Sequence, residues 1–378
     1  MVTSPFAAHH ADLAGLAAES RRRALAPRAG LDFASNDYLG LAASYLLSEA
    51  LTEGLRRGIP AGSGGSRLLR GNHAEHEALE AHAARHYGSD AALFFPTGFA
   101  ANAALFATLP QRGDLVVHDE LIHASAHDGM KLGRADRAAA AHNDPQSFAD
   151  AIAAWRARGG TGTPWIAVES LYSMDGDRAP LADLAAVADR HDAVLVVDEA
   201  HATGVYGPAG QGLAHDIAGR DNLVTLHTCG KALGCEGALL CGPQIVRDFI
   251  VNRGRPFIFS TAPSPLMAWL VRQALEIVAN EPERPARLHE LVRHAETRLG
   301  TLGVPASGSQ VIPVVIGDNA RTMRIAGALQ YAGFDVRGIR PPTVPHGTAR
   351  LRVAITLNVD ERNIDVLADT LAGAMAAA

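Results

Sequence analysis

The sequence predicts an α/β protein with a mostly parallel, doubly wound sheet in a large domain and a smaller C-terminal α+β domain. Three observations predict it. Short apolar, β-branched runs such as Val194-Leu195-Val196-Val197 and Leu223-Val224-Thr225-Leu226 read as strands buried on both faces. Helical stretches separate these runs, and strand–helix alternation is the pattern of crossover connections in a parallel sheet. The 378 residues exceed one ordinary core, so two domains are expected. The reading assigns residues 1–45 to an N-terminal helix and substrate-side segment, 46–280 to the large domain and 281–378 to the small one. The break falls near Asn280–Pro285, which contains Pro282 and Pro285.

Each element has a local reason. Residues 8–26 predict a helix ended by Arg21-Arg22-Arg23, whose charges complement the macrodipole. LDFASNDYLGLA carries a turn at Asn36, Asp37 and Gly40. After a helix over 44–58, the loop PAGSGGSRLLRGN lets backbone approach a ligand closely. It contains Ser66 but no lysine, and it matches neither the P-loop nor the dinucleotide fingerprint. His73, His76, His82 and His86 follow on a helix. Without an HExxH pattern they read as a solvated face, and no metal is expected.

AALFFPTGFAANAALFATL reads strand, turn, helix, with the helix starting near Phe99. The first amides of a helix are unpaired, so Gly98 and Phe99 form a candidate anion cradle. DLVVHDELIHASAHDGM brings His123 to the next strand end. PWIAVESLYSMDGD, a helix over 181–191 and VLVVDEAH continue the alternation. EGALLCG is a further strand, VNRGRPFIFSTAPSP an exposed connection, and 264–280 and 284–302 two long helices. The remainder is a strand VIPVVI, a helix over 319–333, FDVRGI, ARLRVAIT and a final alanine-rich helix, which together predict a small antiparallel sheet.

Composition bounds the function. Hydrophobic residues make up 48% and charged residues 20%, as in soluble globular proteins. A net charge of -6 gives no general attraction to nucleic acid or anionic membranes. No apolar run approaches the roughly 20 residues that span a bilayer. The N-terminal apolar periodicity precedes its basic residues, the reverse of a secretory signal, so a cytoplasmic protein is expected. Cys229, Cys235 and Cys241 are odd in number and lack CxxC spacing, which argues for packing rather than disulfides or zinc.

The chemistry concentrates at Asp198 and Lys231. Each follows a strand, where open α/β sheets bind ligands. A lysine that can form a Schiff base and a carboxylate that can keep a pyridine nitrogen protonated are what a pyridoxal phosphate (PLP) site requires. The DEAH at 198–201 is not a helicase motif here, because no phosphate loop precedes it.

FASNDYLGL, GSGGSRLLRGN, TGFAAN, HASAHDG, ESLYSMDGD, VVDEAHATGVYG, TCGKALG and IRPPTVPHGTARLRVAIT, in this order and spacing, resemble the α-oxoamine synthases. These are PLP enzymes of the aspartate-aminotransferase fold (fold type I), and the resemblance runs from about Arg21 to the C-terminus. It implies that Lys231 carries PLP, Asp198 pairs with the ring nitrogen, His201 meets the phenolic oxygen and His123 stacks on the ring. It further implies that Gly98, Phe99, Ser173 and Thr228 hold the cofactor, with Ser260 or Thr261 from a second subunit completing the phosphate site of a homodimer. Arg352 matches the arginine that grips the amino-acid carboxylate, and Asn36 and Ser66 lie in substrate-side motifs. Arg21, Arg340 and Thr343 match positions around the acyl substrate, with Arg22 and Arg23 adjacent alternatives to Arg21. GIRPPTVP followed by GTARLR resembles the members that condense L-alanine with pimeloyl-CoA or pimeloyl-acyl carrier protein. Leu68 and Leu69 suit a long acyl chain, since each buried CH2 contributes about 0.8 kcal/mol. Sister enzymes using glycine with acetyl-, succinyl- or long-chain acyl-CoA are the alternative, and a non-catalytic PLP-fold module is the more distant one.

Overall fold

The computed structural model describes residues 4–378. Two compact units divide the chain: one comprises Leu39–Ser173 and Asp177–Ala286, the other the segment ending at Tyr38, Met174–Gly176 and Arg287–Ala378. The N-terminal segment therefore groups with the C-terminal part up to Tyr38, and the later boundary falls after Ala286.

The smaller unit begins with α1 (Ala7–Ala18) and the two-residue β1 (Leu31–Asp32). α1 is shorter than the helix expected over 8–26. Ser20 takes a left-handed φ of 56°, and the Arg21 amide closes onto the Leu16 carbonyl at 2.7 Å, a turn that ends a helix. Arg21–Arg23 thus lie past the helix end rather than in its last turn.

The larger unit runs through α2 (Tyr45–Arg56), α3 (Ala74–His86), β2 (Ala91–Phe95), α4 (Gly98–Thr108), β3 (Leu115–Asp119), α5 (Ala124–Leu132), β4 (Asp136–Ala140) and α6 (Pro145–Ala157). It continues with β5 (Pro164–Glu169), α7 (Leu181–Arg190), β6 (Val194–Asp198), β7 (Leu223–Thr228), β8 (Ala238–Gly242), α8 (Gln244–Arg253), α9 (Arg255–Ile258) and α10 (Pro265–Asn280). Its strands form one sheet in the order β2-β8-β7-β6-β5-β3-β4. β8 runs antiparallel to both neighbours, and the other pairings are parallel. Alternate residues of β6 enter opposite cores, as the two-residue period of a strand requires. Val196 packs with Leu105, Phe106 and Met130 on one face; Leu195 and Val197 pack with Phe148, Ile152 and Leu184 on the other. Helices cover both faces, so the doubly wound sheet expected from the sequence is present.

α11 (Glu283–Gly300) opens the return to the smaller unit. There follow β9 (Val311–Gly317), α12 (Asn319–Tyr331), β10 (Phe334–Asp335), β11 (Arg337–Ile339), β12 (Ala349–Ala354) and α13 (Glu361–Ala377). β11-β12-β9 is an antiparallel sheet, and β10 pairs with β1 in parallel.

Two expectations need correction. The segment 251–265 is not simply an exposed connection. It completes α8 and forms α9, whose Phe257 is buried with its ring 5.6 Å from that of Phe95. Gly254 ends one helix and Pro256 lies in the first turn of the next, a use of both residues that looks like a loop in sequence. Nor do the four histidines form a solvated face. His73 caps α3, and His76 is fully buried with Nε2 2.8 Å from the Pro263 carbonyl. His86 packs edge-on against Tyr87, and burial lowers its imidazole to about 4. Among the described residues no group of three His, Cys, Asp or Glu side chains is arranged to hold a metal, and no helix is long and apolar enough to cross a membrane.

The glycine-rich loop is anchored by a buried ion pair that sequence reading missed. Arg67 donates to both carboxylate oxygens of Glu80 at 2.6 and 3.0 Å, and Glu80 also accepts from the Phe94 amide at 2.9 Å. Replacing Arg67 by methionine strands that carboxylate. Stability is expected to fall by about 3–5 kcal/mol, read from the midpoint of urea unfolding. A loss below about 1 kcal/mol would show that the pair behaves like an exposed one.

Candidate active site

In the larger unit the expected cofactor residues gather at strand ends. β6 delivers Asp198, which is buried, and the loop after β7 delivers Lys231. Lys231 Nζ lies 2.9 Å from Nε2 of His201. Asp198 Oδ2 accepts from Asn102 Nδ2 at 2.9 Å and Oδ1 from the Ala200 amide at 3.0 Å. Asn102 also donates to Ser125 Oγ at 2.9 Å, and Ser125 Oγ is 2.7 Å from His123 Nδ1. A chain of hydrogen bonds thus joins Asp198 to His123.

His123 is the N-cap of α5, its Nδ1 accepting from the Ser125 amide at 3.2 Å. Burial, with the nearby Lys231 charge adding and Asp198 opposing, lowers its pKa. The shift favours the neutral ring, which suits the stacking role expected for His123 from the sequence.

α4 starts at Gly98, one residue earlier than expected, behind Thr97, whose side chain caps the Ala100 amide at 3.0 Å. The amides of Gly98 and Phe99 belong to the first turn and have no acceptor within the helix. A Cβ on Gly98 would lie 2.8 Å from Thr228 Cγ2, so side-chain-free backbone is needed there. Thr228 Oγ1 donates to the Ala200 carbonyl at 3.2 Å. Ser173 is part-buried past the end of β5, and its amide donates to Glu169. Ser260 is part-buried and Thr261 exposed in the segment between α9 and α10. Ser66 follows Gly65, and its carbonyl accepts from the Leu69 and Gly71 amides at 3.1 and 2.9 Å. Leu68 and Leu69 are both exposed.

Three buried groups near these residues were not singled out from sequence. Asn102 is a buried amide side chain amid the alanines of α4, and that contrast was visible in TGFAANAALFAT. Glu199 accepts from Ser170 Oγ, Leu213 N and Ala214 N at 2.9, 3.0 and 2.5 Å, and burial lifts it to about 7. Glu169 ends β5 in register with Asp198. Cys229 and Cys241 are fully buried, with burial pushing both thiols up, which suits packing.

In the smaller unit Arg352 lies on β12. One Nη donates to Asn36 Oδ1 at 2.8 Å and to Tyr38 Oη at 3.2 Å, and Tyr38 Oη donates to Asn36 Oδ1 at 3.0 Å. Asn36 and Arg352, far apart in sequence, are therefore one cluster. A second cluster joins Arg21 Nε to the Pro341 carbonyl at 3.1 Å and Arg23 Nη2 to Thr343 Oγ1 at 3.0 Å. Arg340 lies in the same group, its pKa lowered by burial and by the Arg23 charge. Arg22 is exposed.

The larger unit's donor set fits PLP: an amine, a buried carboxylate, an imidazole, and helix amides beside a glycine whose Cβ would crowd Thr228. The comparisons agree. The family model "Aminotransferase class I and II" matches residues 28–371. The chain is 42% identical to the 8-amino-7-oxononanoate synthase of Anaeromyxobacter dehalogenans, over 97% of this chain and 94% of that protein. It is 41% identical to the enzyme of that name from Chromobacterium violaceum, over 91% and 89% of the two chains. The solved serine palmitoyltransferase of Sphingomonas wittichii superposes with a TM-score of 0.90 at 25% identity, covering 100% of this chain and 98% of that one. The motif order, the fold and these relatives lead to one conclusion: the chain belongs to the 8-amino-7-oxononanoate synthase family of PLP-dependent acyltransferases.

Proposed function

We propose that this chain condenses L-alanine with a pimeloyl thioester, giving 8-amino-7-oxononanoate, CO2 and the free thiol for biotin biosynthesis in the cytoplasm. The observation that carries this reading is the 42% identity to a synthase of that name over 97% of the chain. PLP, when bound, supplies an aldehyde for the amino group and a ring that delocalises the electrons left at the alanine Cα.

The chain's own residues then have distinct tasks. Lys231 holds the cofactor and is the base that takes the Cα proton, with His201 at 2.9 Å orienting its amine. His201 also meets the phenolic oxygen. Asp198, fixed by Asn102 and Ala200, faces the ring nitrogen. His123 covers the ring, while Gly98, Phe99, Ser173 and Thr228 hold the cofactor. Arg352, held by Asn36 and Tyr38, grips the alanine carboxylate. Arg21, Arg340 and Thr343 bind the acyl substrate, and Ser66 is a further substrate-side residue. The new bond joins alanine Cα to the acyl carbon, the thiol leaves, and the carboxylate departs as CO2 with a proton taking its place.

The phosphate site is completed by Ser260 or Thr261 of the partner subunit, so the working form is a homodimer. Steady-state turnover with alanine or glycine against pimeloyl-CoA, pimeloyl-acyl carrier protein, acetyl-CoA and succinyl-CoA tests the reading. With a pimeloyl donor, alanine is expected to exceed glycine in kcat/KM by roughly 10- to 200-fold, the range one methylene commands in a fitted site, and pimeloyl donors are expected to exceed acetyl- and succinyl-CoA. A preference for glycine with a short donor would overturn it.

A further inference from the structure

We propose that Glu169 is a positioning residue of the condensation, fixing the backbone of His123 and Ser173 at the end of β5 and keeping Oε1 for a hydrogen bond to the bound cofactor or substrate. The inference rests on the reaction proposed above. Three geometric observations carry it. Glu169 and Asp198 are register partners on adjacent parallel strands, so their side chains leave the sheet on the same side. The amides of Ser173 and His123 both donate to the Glu169 carboxyl, tying two separate loops to one strand end. Glu169 is 2% exposed, yet Oε1 has no hydrogen-bond partner among the described residues. A buried oxygen without a partner is uncommon and calls for one.

The charges around it come from three elements. Asp198 on β6 and burial push Glu169 up to about 8, while Lys231 after β7 and the two amides oppose the shift. Tyr172, three residues past the end of β5, also feels the Glu169 charge and that of Asp119 on β3. The balance thus favours the protonated form of Glu169 near neutral pH. A protonated Oε1 can donate, and protonating Glu169 relieves its repulsion with Asp198, as happens where neighbouring carboxyls have different tasks.

Glu169→Gln and Glu169→Ala in the full chain with PLP test this through cofactor affinity by absorbance titration, kcat and KM for alanine, and kcat against pH. Glutamine keeps an acceptor for the amides and an N–H donor in place of the O–H. It is expected to hold cofactor affinity and kcat within about 3-fold and to lose an alkaline limb near the Glu169 pKa of about 8. Alanine is expected to lower kcat about 100-fold with KM for alanine little changed, and to weaken PLP binding about 10-fold, because His123 and Ser173 drift from their positions. The proposal is overturned if glutamine is as impaired as alanine, if the alkaline limb persists in Glu169→Gln, or if Glu169→Ala keeps kcat within about 3-fold. Should Glu169→Ala not fold, the glutamine variant and its pH profile still decide. If the wild type fails to turn over alanine and pimeloyl-CoA, the proposed reaction falls, and the cofactor titration still reads Glu169 separately.

Discussion

Replacing Lys231 by alanine is expected to remove the visible absorbance of the purified protein and to lower kcat by at least about 10⁴-fold, the upper range for losing a positioned acid–base group. On the proposed roles the covalent anchor disappears with the base, so the two losses compound. No other amine can substitute. The chain has two lysines, and the second, Lys131, is exposed on α5 and paired with Asp128 at 2.8 Å. Absorption spectra before and after adding PLP, with single-turnover assays, check both parts. A variant that keeps its colour after gel filtration, or retains about a hundredth of the activity, would show that Lys231 is not the anchor.

Replacing Asp198 by alanine is expected to cost about 10²–10³-fold in kcat, comparable to removing a preorganised electrostatic partner of the reacting group. The loss is expected on kcat rather than on KM for alanine, because in the proposed role the carboxylate faces charge that changes during reaction and not the substrate in its ground state. Its neighbour cannot replace it: Glu169 already accepts the amides of His123 and Ser173. Asn102 keeps its bond to Ser125, so the fold of α4 and α5 is expected to persist. Steady-state kinetics with a melting curve separate the two effects. A kcat within about 10-fold of wild type would mean that Asp198 does not serve the ring.

Much of this was legible because the signals are local. VLVV and LVTL announce β6 and β7 through β-branched apolar residues, and the residues after them are the chemically loaded ones. β4 escaped because Asp136-Arg137-Ala138-Ala139-Ala140 has no β-branched or large apolar residue; as an edge strand it needs few of them. α6 escaped as well, although Asp144 caps it and Pro145 opens it. α9 was hidden by a glycine and a proline that look like loop residues. The pairings were out of reach for a different reason. Arg67–Glu80, Asn102–Asp198 and Asn36–Arg352 join residues 13, 96 and 316 positions apart. No periodicity encodes a partner at such separations, since tertiary packing alone brings the two together.

The sheet order has a consequence for how the molecule breathes. Asp198 and Glu169 end β6 and β5, and Lys231 follows β7, three strands each hydrogen-bonded on both edges. Opening any one of them locally would break two ladders at once. α1, which buries no side chain, can fray at almost no cost. Exchange of backbone amides with solvent should therefore be slowest where the reacting groups are rooted and fastest at the N-terminal helix. The residues proposed to hold the cofactor would then stay assembled through partial unfolding that loosens the periphery.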